Sequence, residues 1–123
     1  TEIDITAQTG IKSLDVTIDC DNLDARKLGT MGIPARFDLC NIEGFEDTNG
    51  TMHPAEDVRE AISALGFPIE DAVKDKPSIR LKIDKMFTEL LTGFPGNNNF
   101  ILTVTENNGL STTKTLKYYV PAN

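Results

Sequence analysis

The carboxylates at the end of the second predicted strand are of a residue type that could ligate calcium. They are Asp19, Asp21 and Asp24. Calcium prefers several oxygen ligands at close range, and the last two residues fall in a turn. Turns favour aspartate for a simpler reason, because its side chain bonds to nearby backbone and caps helices. We therefore predict that these residues shape the turn, and we assign no metal site.

A second acidic group, in the segment 43–53, resembles part of a calcium-binding loop. Its members are Glu43, Glu46, Asp47 and Asn49. Phe45 stands where the EF-hand pattern requires a ligand, which favours a solvated polar loop. His53 is the only histidine, so a zinc site would need cysteine or carboxylate help. As a general base it would need a nucleophile and an orienting acid beside it, and a place at the start of a helix explains it sufficiently.

The two cysteines, Cys20 and Cys40, permit one disulfide. Cys20 continues an inward series of alternate residues, whereas Cys40 is out of phase with Phe37 and Leu39, which we expect to face the core. Side chains on opposite faces of a sheet do not meet the geometry of a disulfide without a bulge. The phase therefore favours free thiols, buried or half-buried, over a disulfide, and a metal pair lacks further ligands.

Three aromatic residues are the candidates for ligand contact. Tyr118 and Tyr119 are adjacent on the last predicted strand, so they face opposite sides and one is expected to be exposed. An exposed Tyr119 together with Phe45 or Phe94 would form a small contact patch, and scattered surface aromatics are the alternative. We predict no catalytic residue, no cofactor and no metal ligand, and we expect that the protein is not an enzyme.

The composition is that of one folded domain. Of the 123 residues, 39% are apolar and 25% are charged, which is ordinary for a globular chain. The net charge of −7 argues against nucleic acid or an anionic membrane as a partner, because both require a concentrated positive patch. No apolar run reaches the roughly 18 residues that cross a bilayer, so no transmembrane segment is predicted. The first residue, Thr1, suggests a mature or excised piece.

Alternation of apolar and polar residues predicts the strands. These cover residues 2–7, 12–20, 35–40, 79–83 and the hairpin 99–120, which turns at Asn107-Asn108-Gly109. A short helix is predicted after Asp24, and Pro54 is predicted to begin a longer one. The apolar stripe of the longer helix is Val58, Ala61, Ile62 and Leu65. A further helix is predicted from Asp84, with Met86, Phe87, Leu90 and Leu91 as its buried side.

Each predicted strand has one polar face, which favours paired antiparallel sheets. Helices do not follow every strand, so the repeated βαβ pattern is absent. We predict a mainly β fold, an immunoglobulin-like antiparallel β-sandwich with a helical insertion, as a single domain over residues 1–123. Its core should contain Val16, Ile18, Leu81, Leu102 and Val104. A two-layer α+β fold is the alternative.

Three stretches together resemble a kind of bacterial surface domain. They are IKSLDVTIDCDNL (11–23), LGFP (65–68) and FPGNNNFILTVTENNGLSTTKTLKYYV (94–120). The last is similar to the final hairpin of bacterial immunoglobulin-like and polycystic-kidney-disease-type repeats. The whole arrangement resembles uncharacterised domains of surface lipoproteins from Bacteroides-type gut bacteria. The resemblance implies export and anchoring through a lipidated cysteine outside the residues given, and it transfers no functional residue.

We therefore expect a non-enzymatic extracytoplasmic module of a bacterial surface protein, at the cell surface or outer membrane, that acts as a spacer or protein-interaction domain. Its partners would be other domains of the same surface protein and a glycan or protein ligand. The alternative is a glycan-binding module of a carbohydrate-processing lipoprotein, with a shallow site formed by residues 43–53, residues 95–99 and an exposed tyrosine. A carbohydrate hydrolase is a third hypothesis, although no pair of carboxylates stands out.

Overall fold

Eight strands and two α-helices form among residues 2–82 and 91–121, which are the residues that the computed structural model describes. The strands are β1 (Glu2–Thr6), β2 (Ile11–Cys20), β3 (Arg36–Asp38), β4 (Phe45–Glu46), β5 (Met52–His53), β6 (Ser78–Lys82), β7 (Gly96–Glu106) and β8 (Ser111–Val120). The helices are α1 (Ala25–Thr30) and α2 (Ala55–Ala64), and a short 3-10 helix covers Glu70–Ala72. The protein is therefore mainly β, and all its strand pairs are antiparallel within these residues.

The largest sheet has four strands in the order β3-β2-β7-β8. Its last two strands are the predicted terminal hairpin, in which Thr105 pairs with Ser111 and Gly96 pairs with Val120. β2 runs antiparallel to β7 from Ile11 to Cys20, so the two longest pairings of the molecule meet at β7. The sheet consequently has a long strand, β8, at one edge and a three-residue strand, β3, at the other.

The strand β7 begins at Gly96, three residues earlier than predicted. Glycine and asparagine are poor strand formers, so the sequence indicates a loop there. The structure extends the strand because the Asp21 carboxylate accepts a hydrogen bond from the backbone N–H of Asn97 (2.8 Å). Gly96 has φ +107°, and a Cβ at this position would lie 2.7 Å from the Asp21 carboxylate. This contact fixes the start of β7 against the end of β2.

The apolar faces of the sheets and helices form one core. The five residues expected there are all buried, none of them exposing more than 6% of its surface: Val16, Ile18, Leu81, Leu102 and Val104. Ile5 from the two-stranded β1–β6 sheet and Val58 and Ile62 from α2 belong to the same hydrophobic cluster. These layers are consistent with a β-sandwich that carries a helical insertion, and the immunoglobulin-like topology remains a prediction.

The two helices lie close to where the sequence places them. Asp24 caps α1, because its carboxylate accepts a hydrogen bond from the N–H of Lys27 (2.9 Å). α2 begins at Ala55 rather than at Pro54, which has an extended backbone (ψ 156°) and therefore precedes the helix as its cap. Most of the helix predicted from Asp84 lies outside the described residues. Among the described residues, no helix is long and apolar enough to cross a lipid bilayer.

Residues 43–53 are more ordered than the predicted polar loop. β4 and β5 form a small hairpin in which Phe45 pairs with His53 and Glu46 pairs with Met52. Strands of two residues are too short for alternation to reveal them. The hairpin follows β3 closely in the chain and leads directly into α2, so it positions Phe45 beside the short edge of the four-stranded sheet.

Candidate functional site

The three aromatic candidates lie at separate places around the four-stranded sheet. Phe45, in β4, lies near β3, and its half-buried ring stacks on that of His53 with centroids 4.8 Å apart. Tyr119, in β8, exposes 66% of its surface at the opposite edge. Phe94 precedes β7, and the Lys27 Nζ lies 5.8 Å from its ring centroid. The strand order therefore separates Phe45 from Tyr119, and the two do not form one patch.

The alternation predicted for the two tyrosines is confirmed. Tyr118 is half-buried and packs against the hydrophobic core, whereas Tyr119 points to solvent. Phe94 lies near the same end of the sheet, because its carbonyl accepts a hydrogen bond from the side-chain amide of Asn98, which pairs with Tyr118. This end of the sheet thus offers one exposed aromatic ring, that of Tyr119.

A cleft of about 440 Å³ opens between β3 and the 43–53 hairpin. Its lining includes Asp15, Arg36, Asp38, Asn41, Glu43 and Phe45, beside the buried Phe37. We call this feature the β3 cleft. It combines an aromatic ring, three carboxylates, a guanidinium and an amide, which are the groups that bind hydroxylated rings through stacking and hydrogen bonds. It contains only one of the three predicted contact residues, Phe45.

The carboxylates of the β3 cleft are not equivalent. Asp38 is committed to the fold, because its Oδ1 accepts hydrogen bonds from the N–H groups of Leu14 (3.0 Å) and Cys40 (2.9 Å). Asp15 is more open, and its carboxylate lies 4.0 Å from the Arg36 guanidinium, which is 72% exposed. Solvent screens such a pair strongly, so the Arg36 side chain is available to a ligand. The side chains of the cleft that are best placed to contact a ligand are therefore Asp15, Arg36 and Phe45.

An aspartate and the single histidine hold the 43–53 hairpin together. The Asp47 Oδ2 lies 2.8 Å from the His53 Nε2, and its Oδ1 accepts hydrogen bonds from the N–H groups of Asn49 (2.8 Å) and Thr51 (3.0 Å). The Asp47 side chain is only 4% exposed. Gly29 of α1 allows this packing, since a Cβ there would approach the Asp47 Cβ to 2.7 Å.

The pairing of Asp47 with His53 is a feature that the sequence reasoning missed. The hydrogen bond from His53, followed by that from the Thr51 N–H, lowers the pKa of the Asp47 carboxyl. The ring of His53 in turn stacks on Phe45, so the pair fixes the aromatic wall of the β3 cleft. Its signal in the sequence was Asp47 in a turn that closes at Gly50 (φ +84°), a position typical of an aspartate-capped turn.

Two members of the first acidic group have structural roles. Asp24 caps α1 and Asp21 holds the start of β7, as expected for aspartates in a turn. In the described part of the chain, no group of three or more histidine, cysteine, aspartate or glutamate side chains is arranged to hold a metal ion.

Both cysteines are free thiols in this structure. Burial raises the pKa of Cys20 to about 11, and burial together with the nearby Asp38 raises the pKa of Cys40 to about 11. The thiolate is the nucleophilic and metal-binding form, so both groups are weak nucleophiles at neutral pH. Both are half-buried.

The outward face of the β7–β8 hairpin carries Thr103, Thr105, Ser111, Thr113 and Lys117 beside one apolar residue, Ile101, and we call it the polar face. The hydroxyl oxygens of Thr103 and Thr113 lie 3.3 Å apart, and those of Thr105 and Ser111 lie 3.1 Å apart. These bonds between β7 and β8 order the hydroxyls, and each oxygen keeps further capacity to accept a hydrogen bond. The polar face is thus a preformed hydrogen-bonding surface, with Tyr119 at one end.

Comparison of the chain with protein-family models, with curated proteins and with solved structures found no match.

Proposed function

We propose that this chain is a non-enzymatic, extracytoplasmic module of a bacterial surface protein and acts as a protein-interaction domain. The observation that carries the proposal is the polar face, which ends at the exposed ring of Tyr119. Tyrosine is enriched in protein interfaces because one end of its side chain is apolar and the other bonds to polar groups. The resemblance of the sequence to bacterial surface lipoprotein domains supports the cellular location.

The experiment presents the protein to a displayed library of peptides and small domains, and in parallel to a glycan array and a panel of polysaccharides. Selection of protein ligands that bind about tenfold more weakly to Tyr119→Ala would support the interaction role. Phe45→Ala is the matched control, because it also removes an aromatic ring but acts at the other edge of the sheet. Hydrolysis of a polysaccharide that depends on one carboxylate would contradict the proposal.

The second candidate is a glycan-binding module, and the β3 cleft favours it. An aromatic ring beside Asp15 and Arg36 suits a sugar ring, which stacks through its C–H face and bonds through its hydroxyls. Under this alternative, Phe45→Ala and Asp15→Ala abolish binding on the glycan array, and Tyr119→Ala leaves it unchanged. The two candidates therefore make opposite predictions for the same pair of aromatic variants.

A further inference from the structure

Among the described residues, no strand pairs with the outer edge of the ten-residue strand β8. Within the described residues it pairs only with β7, and its backbone forms no hydrogen bond with another element. From Ser111 to Thr115 the side chains on both faces are exposed, so the described elements leave this half of the strand largely open. Unpaired N–H and C=O groups along such an edge can form a ladder with an added strand.

The same strand carries positive charge on an acidic protein. Its sequence, STTKTLKYYV, contains two lysines and no acid, whereas the whole chain has a net charge of −7. Lys114 donates to the carbonyl of Asp4 (2.9 Å), and Lys117 has no hydrogen bond or ion pair within the described residues. Their partners on β7 are Leu102 and Asn99, which are uncharged. Lys117 is therefore available to an incoming ligand, and the Lys114 ammonium, which has three donors, keeps two of them beyond its bond to Asp4.

From these two features we infer that β8 binds an extended acidic peptide segment, which adds to the four-stranded sheet as a fifth strand. Backbone hydrogen bonds would supply the pairing, and acidic side chains opposite Lys114 and Lys117 would supply selectivity. This inference rests on the proposed protein-interaction role and names the chemistry of the partner.

A second copy of the chain fits the edge less well. If two β8 strands paired antiparallel over their full length, Ser111 would face Val120, and Lys114 of each copy would face Lys117 of the other. Like charges directly opposite each other destabilise a strand pair. Lysine is also a residue with which natural edge strands prevent pairing with their own copies. The charge pattern thus favours a complementary acidic segment over self-association.

The test uses two capped ten-residue peptides of threonine and valine that differ at two positions. One carries glutamate at the fourth and seventh positions, and the other carries lysine there. In full-length pairing, these positions face Lys114 and Lys117 whether the peptide runs parallel or antiparallel to β8. Binding is measured by titration, and amide hydrogen exchange along Ser111–Val120 locates the bound peptide.

We expect the glutamate peptide to bind at least about tenfold more tightly than the lysine peptide, with a difference that shrinks at high salt. Binding should slow the exchange of alternate β8 amides, because only every second N–H of an edge strand points outward. Lys117→Glu should remove the preference for glutamate. Lys74→Glu is the matched control, since it makes the same charge change at an exposed position outside β8 and near Cys40.

Equal binding of the two peptides, binding without protection of β8, failure of both peptides to bind, or dimerisation through β8 would each overturn the inference. The failure of the proposed function looks different. Protein ligands that bind through the polar face and leave the β8 amides unprotected would overturn strand addition and leave the interaction role standing. Glycan binding in the absence of any peptide or protein ligand would overturn both.

Discussion

The two edges of the four-stranded sheet meet solvent in different ways. β3 has three residues, and the 43–53 hairpin and the β3 cleft lie beside it. β8 has ten residues, and within the described chain no element pairs with its outer edge. The β3 edge, which we call the covered edge, presents the side chains that line the β3 cleft. The β8 edge, which we call the open edge, presents unpaired backbone groups and two lysines. The proposed site for a hydroxylated ring therefore lies at one edge and the proposed site for an extended chain at the other, which makes the two proposals separable by mutation.

The largest expected effect comes from the core that both edges share. Leu102 is fully buried in β7, so Leu102→Ala should lower the free energy of unfolding by about 3 kcal/mol. Thr103→Ala, the next residue on the polar face, is the control and should cost less than about 1 kcal/mol. Urea denaturation measures both. Equal effects of the two substitutions would show that the inner and outer faces of β7 are wrongly assigned.

The second-largest expected difference is in the rates at which thiols at the two edges react with an alkylating reagent. Since burial raises the pKa of Cys40, just after β3, to about 11 from an ordinary 9.0, its thiolate fraction at neutral pH should fall by about a hundredfold. Cys20 should behave in the same way. Thr113→Cys, at an exposed β8 position, should add one fast-reacting thiol. Alkylation followed by mass spectrometry measures the rates, and fast modification of Cys40 in the folded protein would contradict the covered state of its edge.

Removal of the Asp47 side chain should loosen the covered edge alone. Asp47→Ala deletes the acceptor of three hydrogen bonds, so we expect a loss of stability smaller than that of Leu102→Ala. The amides of Asn49 and Thr51 should exchange faster, while the β8 amides remain unchanged. Glu46→Ala, an exposed neighbour, is the matched control. Simultaneous loosening of β8 would contradict the independence of the two edges.

The same carboxylate predicts a response to acid. The pKa of Asp47 in the folded protein lies below its ordinary value of 3.8, so its ionised form stabilises the fold. That contribution is complete above the ordinary pKa and is lost as the pH falls through the lowered one. Between neutral pH and about pH 3, the free energy of unfolding should therefore fall less for Asp47→Asn than for the natural protein, as measured by urea denaturation at each pH. A parallel loss in both proteins would contradict the role of this pair.

A substitution at the open edge should cause the smallest change in the free energy of unfolding. Lys117 is exposed and has no ionic partner within the described residues, so Lys117→Glu should change the free energy of unfolding by less than about 0.5 kcal/mol. Thermal denaturation measures this. A larger loss would show that the charge on β8 supports the fold instead of being available to a ligand.

Much of the sheet could be predicted because alternation is a strong signal over long strands. It placed Leu102 and Val104 in the core and separated Tyr118 from Tyr119. The alternation of apolar and polar residues gives no information on the order of the strands in the sheet, because that order depends on pairing between distant segments. The sequence analysis therefore grouped Tyr119 with Phe45 or Phe94, although β2 and β7 separate Tyr119 from the strand near which Phe45 lies.

The candidate site was less predictable than the fold. The hairpin that carries Phe45 has strands of two residues, and its main bonds come from the single side chain of Asp47. Similarly, the start of β7 depends on Asp21, which is distant in sequence from Asn97. Such contacts between a polar side chain and remote backbone leave no periodic pattern, so a turn aspartate was the only available hint.

The difference between the two edges is tested most directly by residue-resolved amide hydrogen exchange of the unliganded protein. The account predicts that alternate amides of Ser111–Tyr119 exchange rapidly while their neighbours, bonded to β7, remain protected. It also predicts protected amides at Asn49 and Thr51, which donate to Asp47. Uniform protection along β8, or unprotected Asn49 and Thr51 beside a protected β8, would contradict it.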